Sequence, residues 1–445
     1  MSARGLSLCD RALEQAARAA PGAEAIVSVR QSQRGHARYA NNEITQAGEV
    51  TETQLRLTLA FGKRHAKAET NQTDEASLHA LAARTAALAE VAPEDPEWLP
   101  VLGPQRYATS SSGFDPATID LPAKARTAAA AAAIRRAEEK SLVAAGFYES
   151  DATLFTFATS AGLRAEHKET VSSMTTTLRT ADGAGSGWAG AEEVRAADVD
   201  ADALARVAAD KAERSHGPRK LEPGKYTVLL EPMAVADIVG FLIEALDARA
   251  ADEGRSFFSR PGGGNRVGEA IFDPRVTLRS DPFDPATPGR PWDDDGLPLA
   301  PTAWIDGGAL KNLQYARFWA QKAGKKPTGG HSTWQLGGGG APSAASLVAG
   351  IKRGLVVTRF WYTRWLDPKA LLITGLTRDG VFLVEDGKVT GPVNNFRFNE
   401  SPVKVLTKLV GMTAQTYRVP WWGGVMRVPA VCCEEFDMAS TSEAV

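Results

Sequence analysis

The chain has 445 residues, with 51 Lys and Arg against 53 Asp and Glu, a formal charge of −2 near neutrality. A protein whose main task is to hold nucleic acid carries a cationic excess, because phosphate neutralisation dominates such binding, and this balance excludes that class. With 43% hydrophobic and 23% charged residues the composition is that of a folded globular protein, and the length exceeds the ~250–300 residues at which single cores stop growing, so two or three domains are expected.

The only cysteines are Cys9, Cys432 and Cys433, too few for a disulfide framework, which points to the cytoplasm. The first twenty residues read as an amphipathic helix rather than a signal peptide, since Asp10 and Arg11 interrupt any apolar core. No apolar run reaches the ~18–20 residues of a membrane span, and the most apolar one, Tyr226 to Ile243, contains Glu231, Pro232 and Asp237. A soluble protein with no membrane partner is expected.

In chain order, a helix is predicted from Leu6 to Ala20 and a strand from Ala25 to Val29. Leu55, Leu57, Leu59 and Phe61 alternate with Arg56, Thr58 and Ala60, the period of a sheet with one buried face. A helix follows with Thr73 as its cap, Asp74 and Glu75 in its first turn, and Leu78, Leu81, Ala82, Leu88 and Val91 at helical spacing. Six prolines and the serines Ser110 to Ser112 mark 93–122 as a linker or surface crossing. Beyond it come a helix of about 25 residues around Ala128 to Ala133, strands Phe147 to Thr159 and Val171 to Thr180, and a helix from Asp202 to Arg214.

The last block is mostly β. Tyr226 to Leu230 is a strand leading into a helix from Met233 to Ala250. Ala370 to Thr374, Val381 to Val384 and Lys388 to Thr390 are short strands separated by Asp379-Gly380 and Asp386-Gly387, which predicts a three-stranded meander with two tight turns. The expected class is α+β, with an amino-terminal α/β domain (1–95), a linker (96–122), a central α/β domain (123–223) and a β-rich carboxy-terminal domain (224–445) built on antiparallel hairpins.

A zinc peptidase helix needs two His on one face with a Glu beside them, and the six histidines, at 36, 65, 79, 167, 216 and 331, contain no such pair. A metal site assembled from His331 with Cys432 or Cys433 is the alternative, weighed against consecutive strand residues pointing to opposite faces. Ser186 lies among glycines in Gly183 to Gly190, but Ala184 stands where a nucleophile elbow needs Gly, and Glu192 and Glu193 oppose a pyrophosphate, so the segment reads as a turn between strand and helix. Read as a strand, the run Arg359 to Trp365 puts Phe360, Tyr362 and Arg364 on one face and Arg359, Trp361 and Trp365 on the other, which fits a protein interface or inner sheet better than base stacking.

The first block carries Arg38-Tyr39-Ala40-Asn41-Asn42-Glu43-Ile44 and Thr70-Asn71, and the last block Thr374-Gly375-Leu376-Thr377-Arg378-Asp379-Gly380, Val384-Glu385-Asp386-Gly387-Lys388, Pro392-Val393 and Asn395-Phe396-Arg397-Phe398-Asn399-Glu400-Ser401. Taken together and in this order, these segments resemble the TldD/PmbA (TldE) family of metallopeptidase-related proteins. The resemblance implies a zinc-bearing branch with an H-E-x-x-x-H helix and a distal Cys, and a TldE-like branch without them. Here the matching helix, Val235 to Ala245, has no His, and Val419-Pro420-Trp421-Trp422-Gly423-Gly424 stands where the zinc branch has Cys-Gly-Lys.

The resemblance therefore implies the TldE-like, non-catalytic half of a heteromeric peptidase, with no cofactor of its own, zinc in a TldD-like partner, and unfolded peptide as substrate. Arg378, Asp379, Arg397, Asn399 and Glu400 are expected at the substrate or partner surface, against the plainer reading of hairpin and strand-end hydrogen bonds. The rival readings are a catalytic metallopeptidase with a divergent metal site and a peptide-binding module without cleavage.

Overall fold

The computed structural model describes residues 2–108, 112–421 and 423–443; Ser110, Ser111 and Trp422 of the segments above lie outside them, and the side chains of residues 2–4 are not described. The first half comprises α1 (Ser2–Ala19), β1 (Glu24–Ala40), β2 (Glu43–Phe61), β3 (Arg64–Thr70), α2 (Glu75–Val91), the short α3 (Pro116–Ile119), α4 (Ala123–Glu139), β4 (Leu142–Thr159), β5 (Arg164–Thr180), β6 (Ser186–Glu193) and α5 (Ala201–Arg214). Its strands form one antiparallel sheet in the order β3-β2-β1-β4-β5-β6. The blocks 1–95 and 123–223 are thus joined along β1 and β4, whose pairing runs from Ile26–Thr159 to Tyr39–Gly146.

Period-two alternation explains the layering. Val27, Val29, Ala37 and Tyr39 of β1 and Leu55, Leu57 and Leu59 of β2 all turn to one face, where α1 and α2 cover one half and the alanine faces of α4 and α5 cover the other.

The second half comprises β7 (Gly224–Leu230), α6 (Pro232–Glu244), α7 (Ala248–Asp252), β8 (Thr277–Ser280), β9 (Thr302–Asp306), β10 (Ala309–Leu310), α8 (Arg317–Lys322), β11 (Thr333–Gly337), α9 (Ala344–Ala349), β12 (Arg353–Asp367), β13 (Leu372–Glu385), β14 (Lys388–Pro392), β15 (Asn395–Glu400), α10 (Pro402–Thr407), β16 (Leu409–Trp421) and β17 (Gly424–Ser442). The order β17-β15-β13-β12-β7 closes on itself, because β17 also pairs with β7. The result is a five-stranded barrel with β16 and the β8 to β11 strands attached to β17. Its core holds Val228, Leu355, Ile373, Phe396 and Met438, and it is continuous with Val235, Ile238 and Leu242 of α6. Phe360, Phe398 and Phe436 meet there with ring centroids 4.3 to 5.7 Å apart.

The mixed α and β class with a strand-rich carboxy-terminal half is what the structure has; several local expectations differ. Asp74, not Thr73, caps α2, accepting the Ser77 amide at 2.9 Å. The alanine-rich helix is 17 residues long, and the helix expected from Met233 to Ala250 stops at Glu244, because Asp247 caps a separate turn, α7. The glycine-rich segment is not a turn into a helix: from Ser186 onward it is the edge strand β6. The meander has one turn fewer than expected. Asp386-Gly387 does turn β13 into β14, but β13 runs unbroken through Asp379-Gly380.

Candidate functional site

The helix α6 opens on Pro232, whose fixed φ suits a first helical position, and is apolar on nearly every side, so it is held by burial rather than by propensity. Asp237 is the charged residue within this run. Beside it β12 departs from its ladder with β13: Trp361 pairs with Leu376 and Arg364 with Thr374, which leaves one extra residue on β12, and Tyr362 adopts φ +56°. The bulge turns Trp361 (45% exposed) and Tyr362 (70%) outward. Two contacts tie the strand to the helix beyond the bulge. The Trp365 indole donates to Glu244 Oε2 at 3.1 Å, and its ring meets Phe241 edge-on at 4.9 Å.

A cavity of about 320 Å³ results, lined by Asp237, Gly240, Phe241, the segment 360–363 and Trp421. Trp421 sits against the helix because residue 240 is glycine: a Cβ there would lie 3.0 Å from its Nε1. Asp237 keeps part of its surface open to the cavity while the surrounding atoms pack densely. Desolvation pushes its carboxyl up to about 7, resisted by the Phe360 amide, which donates to Oδ2 at 3.0 Å, and by the nearby charge of Arg359.

A second polar centre joins the barrel to the sheet. Asp379 has φ +56° at a bulge where Val381 faces Val357 but Arg378 faces Arg359. Its carboxylate, 2% exposed, accepts from Ser186 of β6 and from Arg359 Nε at 2.7 Å. Arg359 also lies over the rings of Trp188 and Trp361, and Arg378 over Trp361. Nearby, Arg418 of β16 donates to Glu192 of β6 at 3.3 Å and Lys211 of α5 pairs with Glu231. Between these contacts lies an apolar cleft of about 580 Å³, walled by Trp188 and Val207 on the sheet side and Met233 and Tyr417 on the barrel side.

Among the residues expected at a surface, Arg378, Arg397 and Asn399 are half-buried on β13 and β15. Asp379 and Glu400 are not surface groups. Glu400, also 2% exposed, accepts from the Ser401 and Asp437 amides and from Lys404 Nζ at 2.8 to 3.0 Å, tying β15 to α10 and β17. Glu400 closes strand β15, and the incoming β17 encloses it, which matches the plainer reading of a strand-end hydrogen bond.

The alternative metal site is not assembled. His331 precedes β11 and lies edge-on to Trp304 at 5.3 Å, with burial holding its ring pKa down to about 4. Cys432 and Cys433 are both buried on opposite faces of β17, Cys433 in the barrel core and Cys432 beneath α9, with burial raising both thiols. Among the described residues no group of three or more His, Cys, Asp or Glu is placed to hold a metal ion, and α6 offers a single carboxylate beside the Trp421 indole. The described residues at α6 and around His331, Cys432 and Cys433 do not fit a zinc centre.

Sequence reasoning missed Asp237, Arg359 and the Glu192–Arg418 pair as site residues. An aspartate inside an apolar helical run was a usable signal for the first, and the aromatic and basic run Arg359 to Trp365 for the second; nothing local joins Glu192 to Arg418, which lie 226 positions apart.

The molecule is thus a helix-backed antiparallel sheet docked on a closed barrel, with a groove on the barrel's helix. A family model described as the PmbA/TldA metallopeptidase C-terminal domain matches residues 223–440, and one described as the PmbA/TldA metallopeptidase central domain matches 114–215. Together these span well over half of the chain, which belongs to the PmbA/TldD family. Similar solved structures include TldE from Thermococcus kodakarensis (TM-score 0.86, 18% identity, covering 97% of this chain and 100% of that one). Two more, from Bacteroides thetaiotaomicron and Thermotoga maritima, are each described as a candidate modulator of DNA gyrase. The first has a TM-score of 0.84 at 21% identity, covering 98% of this chain and 99% of that one; the second 0.82 at 19%, covering 97% and 99%. At these identities the likeness is one of fold. No curated protein sequence matches the chain. Among the described residues no helix is long and apolar enough to cross a membrane.

Proposed function

We propose that this chain is the TldE-like, non-catalytic subunit of a heteromeric metallopeptidase, paired with a zinc-bearing TldD-like chain and acting on unfolded polypeptides or peptide precursors. One observation carries the reading. At the helix where the zinc branch of the family is expected to place H-E-x-x-x-H, α6 presents Asp237, Gly240 and Phe241, and the Trp421 indole rests on Gly240. Without imidazole ligands this chain has no means of holding a Lewis-acidic ion there. The fold shared with TldE from Thermococcus kodakarensis supports the same branch. The free, buried thiols of Cys9, Cys432 and Cys433 fit a reducing, cytoplasmic compartment.

The test is co-expression with a TldD-like protein from the same genome, followed by zinc analysis and cleavage of an unfolded substrate for each chain and for the mixture. Zinc and cleavage are expected to follow the partner, with a stable complex on size exclusion. Stoichiometric zinc and cleavage by the isolated chain would overturn the proposal. Absence of any complex would do so as well, leaving a peptide-binding module.

A further inference from the structure

The groove beside α6 combines three features. Its floor carries a carboxylate with spare capacity: Asp237 Oδ2 accepts the Phe360 amide, and among the described residues Oδ1 has no hydrogen-bond donor and the carboxylate no ion-pair partner. Its lining includes the aromatic residues Phe241, Trp361, Tyr362 and Trp421, with Phe360 turning its ring into the barrel core and its amide toward Asp237. Its volume, about 320 Å³, lies at the low end of the roughly 300–1,000 Å³ of small-ligand pockets.

The charged neighbours leave Asp237 unneutralised. Arg359, the cation whose charge acts on Asp237, is committed to Asp379 through Nε at 2.7 Å and again through Nη2. Arg378 lies over Trp361, Arg364 lies over Tyr362, and Glu244 is engaged by the Trp365 indole. A carboxylate with an open oxygen beneath aromatic faces favours an organic cation, which gains a charge-assisted hydrogen bond and ring-quadrupole attraction together.

We propose that this groove binds a primary ammonium group carried on a peptide, either its amino terminus or a lysine side chain, anchored by Asp237 and walled by Trp361, Tyr362 and Trp421. The inference rests on the peptide-handling reading above and gives it a chemical class: the chain holds peptide by an amine. Binding requires the ionised carboxylate, and burial places that ionisation near pH 7 in the empty groove. Affinity therefore falls as pH drops below about 7. A lysine amine, ordinarily titrating near 10.4, gives a plateau above that pH, whereas an α-amino group, near 7.7–8.0, gives a maximum followed by a decline.

The experiment uses the full chain alone, with calorimetry and tryptophan fluorescence. The probes are n-butylammonium, Gly-Gly-Gly amide and N-acetyl-Gly-Lys-Gly amide, with n-butanol and N-acetyl-Gly-Gly-Gly amide as neutral counterparts. At least one amine probe is expected to bind tenfold or more tightly than its neutral counterpart, and the two peptides identify which amine is preferred. Asp237→Asn is expected to lose that tenfold while remaining folded in a thermal melt, and Trp361→Ala, at an exposed position, to lose a comparable factor. Equal binding of charged and neutral probes, no binding at all, or wild-type affinity in Asp237→Asn would each overturn the site. Because no partner chain is present, failure here with an intact zinc-bearing complex removes the amine site alone, while amine binding without a complex removes only the subunit reading.

Discussion

Asp237 shows how one residue registers in a sequence yet acquires its meaning from packing. In the chain it merely interrupts an apolar run; in the fold it lies under aromatic rings with its carboxyl raised to about 7. The sign of its linkage to stability follows. A carboxyl whose folded pKa exceeds its unfolded one favours folding fully below the ordinary value, near 3.8, and that contribution is lost as pH rises through about 7. The ionised group then opposes folding by an amount on the order of 4 kcal/mol at pH 8. Asp237→Asn is accordingly expected to melt higher than the parent at pH 8, with the gap reduced by more than half at pH 5 and closing only below the ordinary carboxyl value near 3.8; differential scanning calorimetry from pH 8 to pH 4 checks it, and a constant gap would reject the buried-carboxylate account.

Elements were legible where one face is buried and obscure where two neighbours decide. The Leu55 to Phe61 alternation marks β2 because that strand has helices on one side only. Asp379-Gly380 carries turn chemistry, and it does force positive φ, but the chain uses it for a bulge within β13 rather than a reversal. Pairing with β12 before and after the bulge, Arg378 with Arg359 and Val381 with Val357, keeps the direction. Gly380 has φ +119°, and a Cβ there would lie 2.9 Å from Phe382 Cε2 and 3.0 Å from Thr358 Oγ1. Gly380→Ala should therefore cost about 1–3 kcal/mol in urea unfolding, and a cost below about 0.5 kcal/mol would mean the bulge relaxes.

On the scale of the whole molecule, the sheet and barrel are held together by polar contacts, two of which, Ser186–Asp379 and Glu192–Arg418, join residues 193 and 226 positions apart. Glu192 and Arg418 form a buried pair across this junction, and desolvation raises the Glu192 carboxyl to about 7 despite the arginine. Removing one member strands the other. Arg418→Ala is expected to destabilise by about 3–5 kcal/mol at pH 8, and by less at pH 5, where Glu192 takes up a proton. The double variant Glu192→Gln, Arg418→Met should recover most of the loss; a double-mutant cycle by denaturant unfolding measures the coupling, and strict additivity would deny it.

The chain by itself determined its class, its strand-rich second half, its family and the absence of a paired-histidine helix, because these depend on local periodicity, composition and short ordered segments. Only the tertiary structure decided that the first two blocks share one sheet and that five strands close into a barrel. It also decided that Asp379 and Glu400 lie inside, and that Asp237, Tyr362 and Trp421 meet in one groove. Those outcomes depend on register and chain return over long separations, which no local pattern encodes: the strand that encloses Glu400 begins only at Gly424, and Trp421 reaches Gly240 from the far end of the chain.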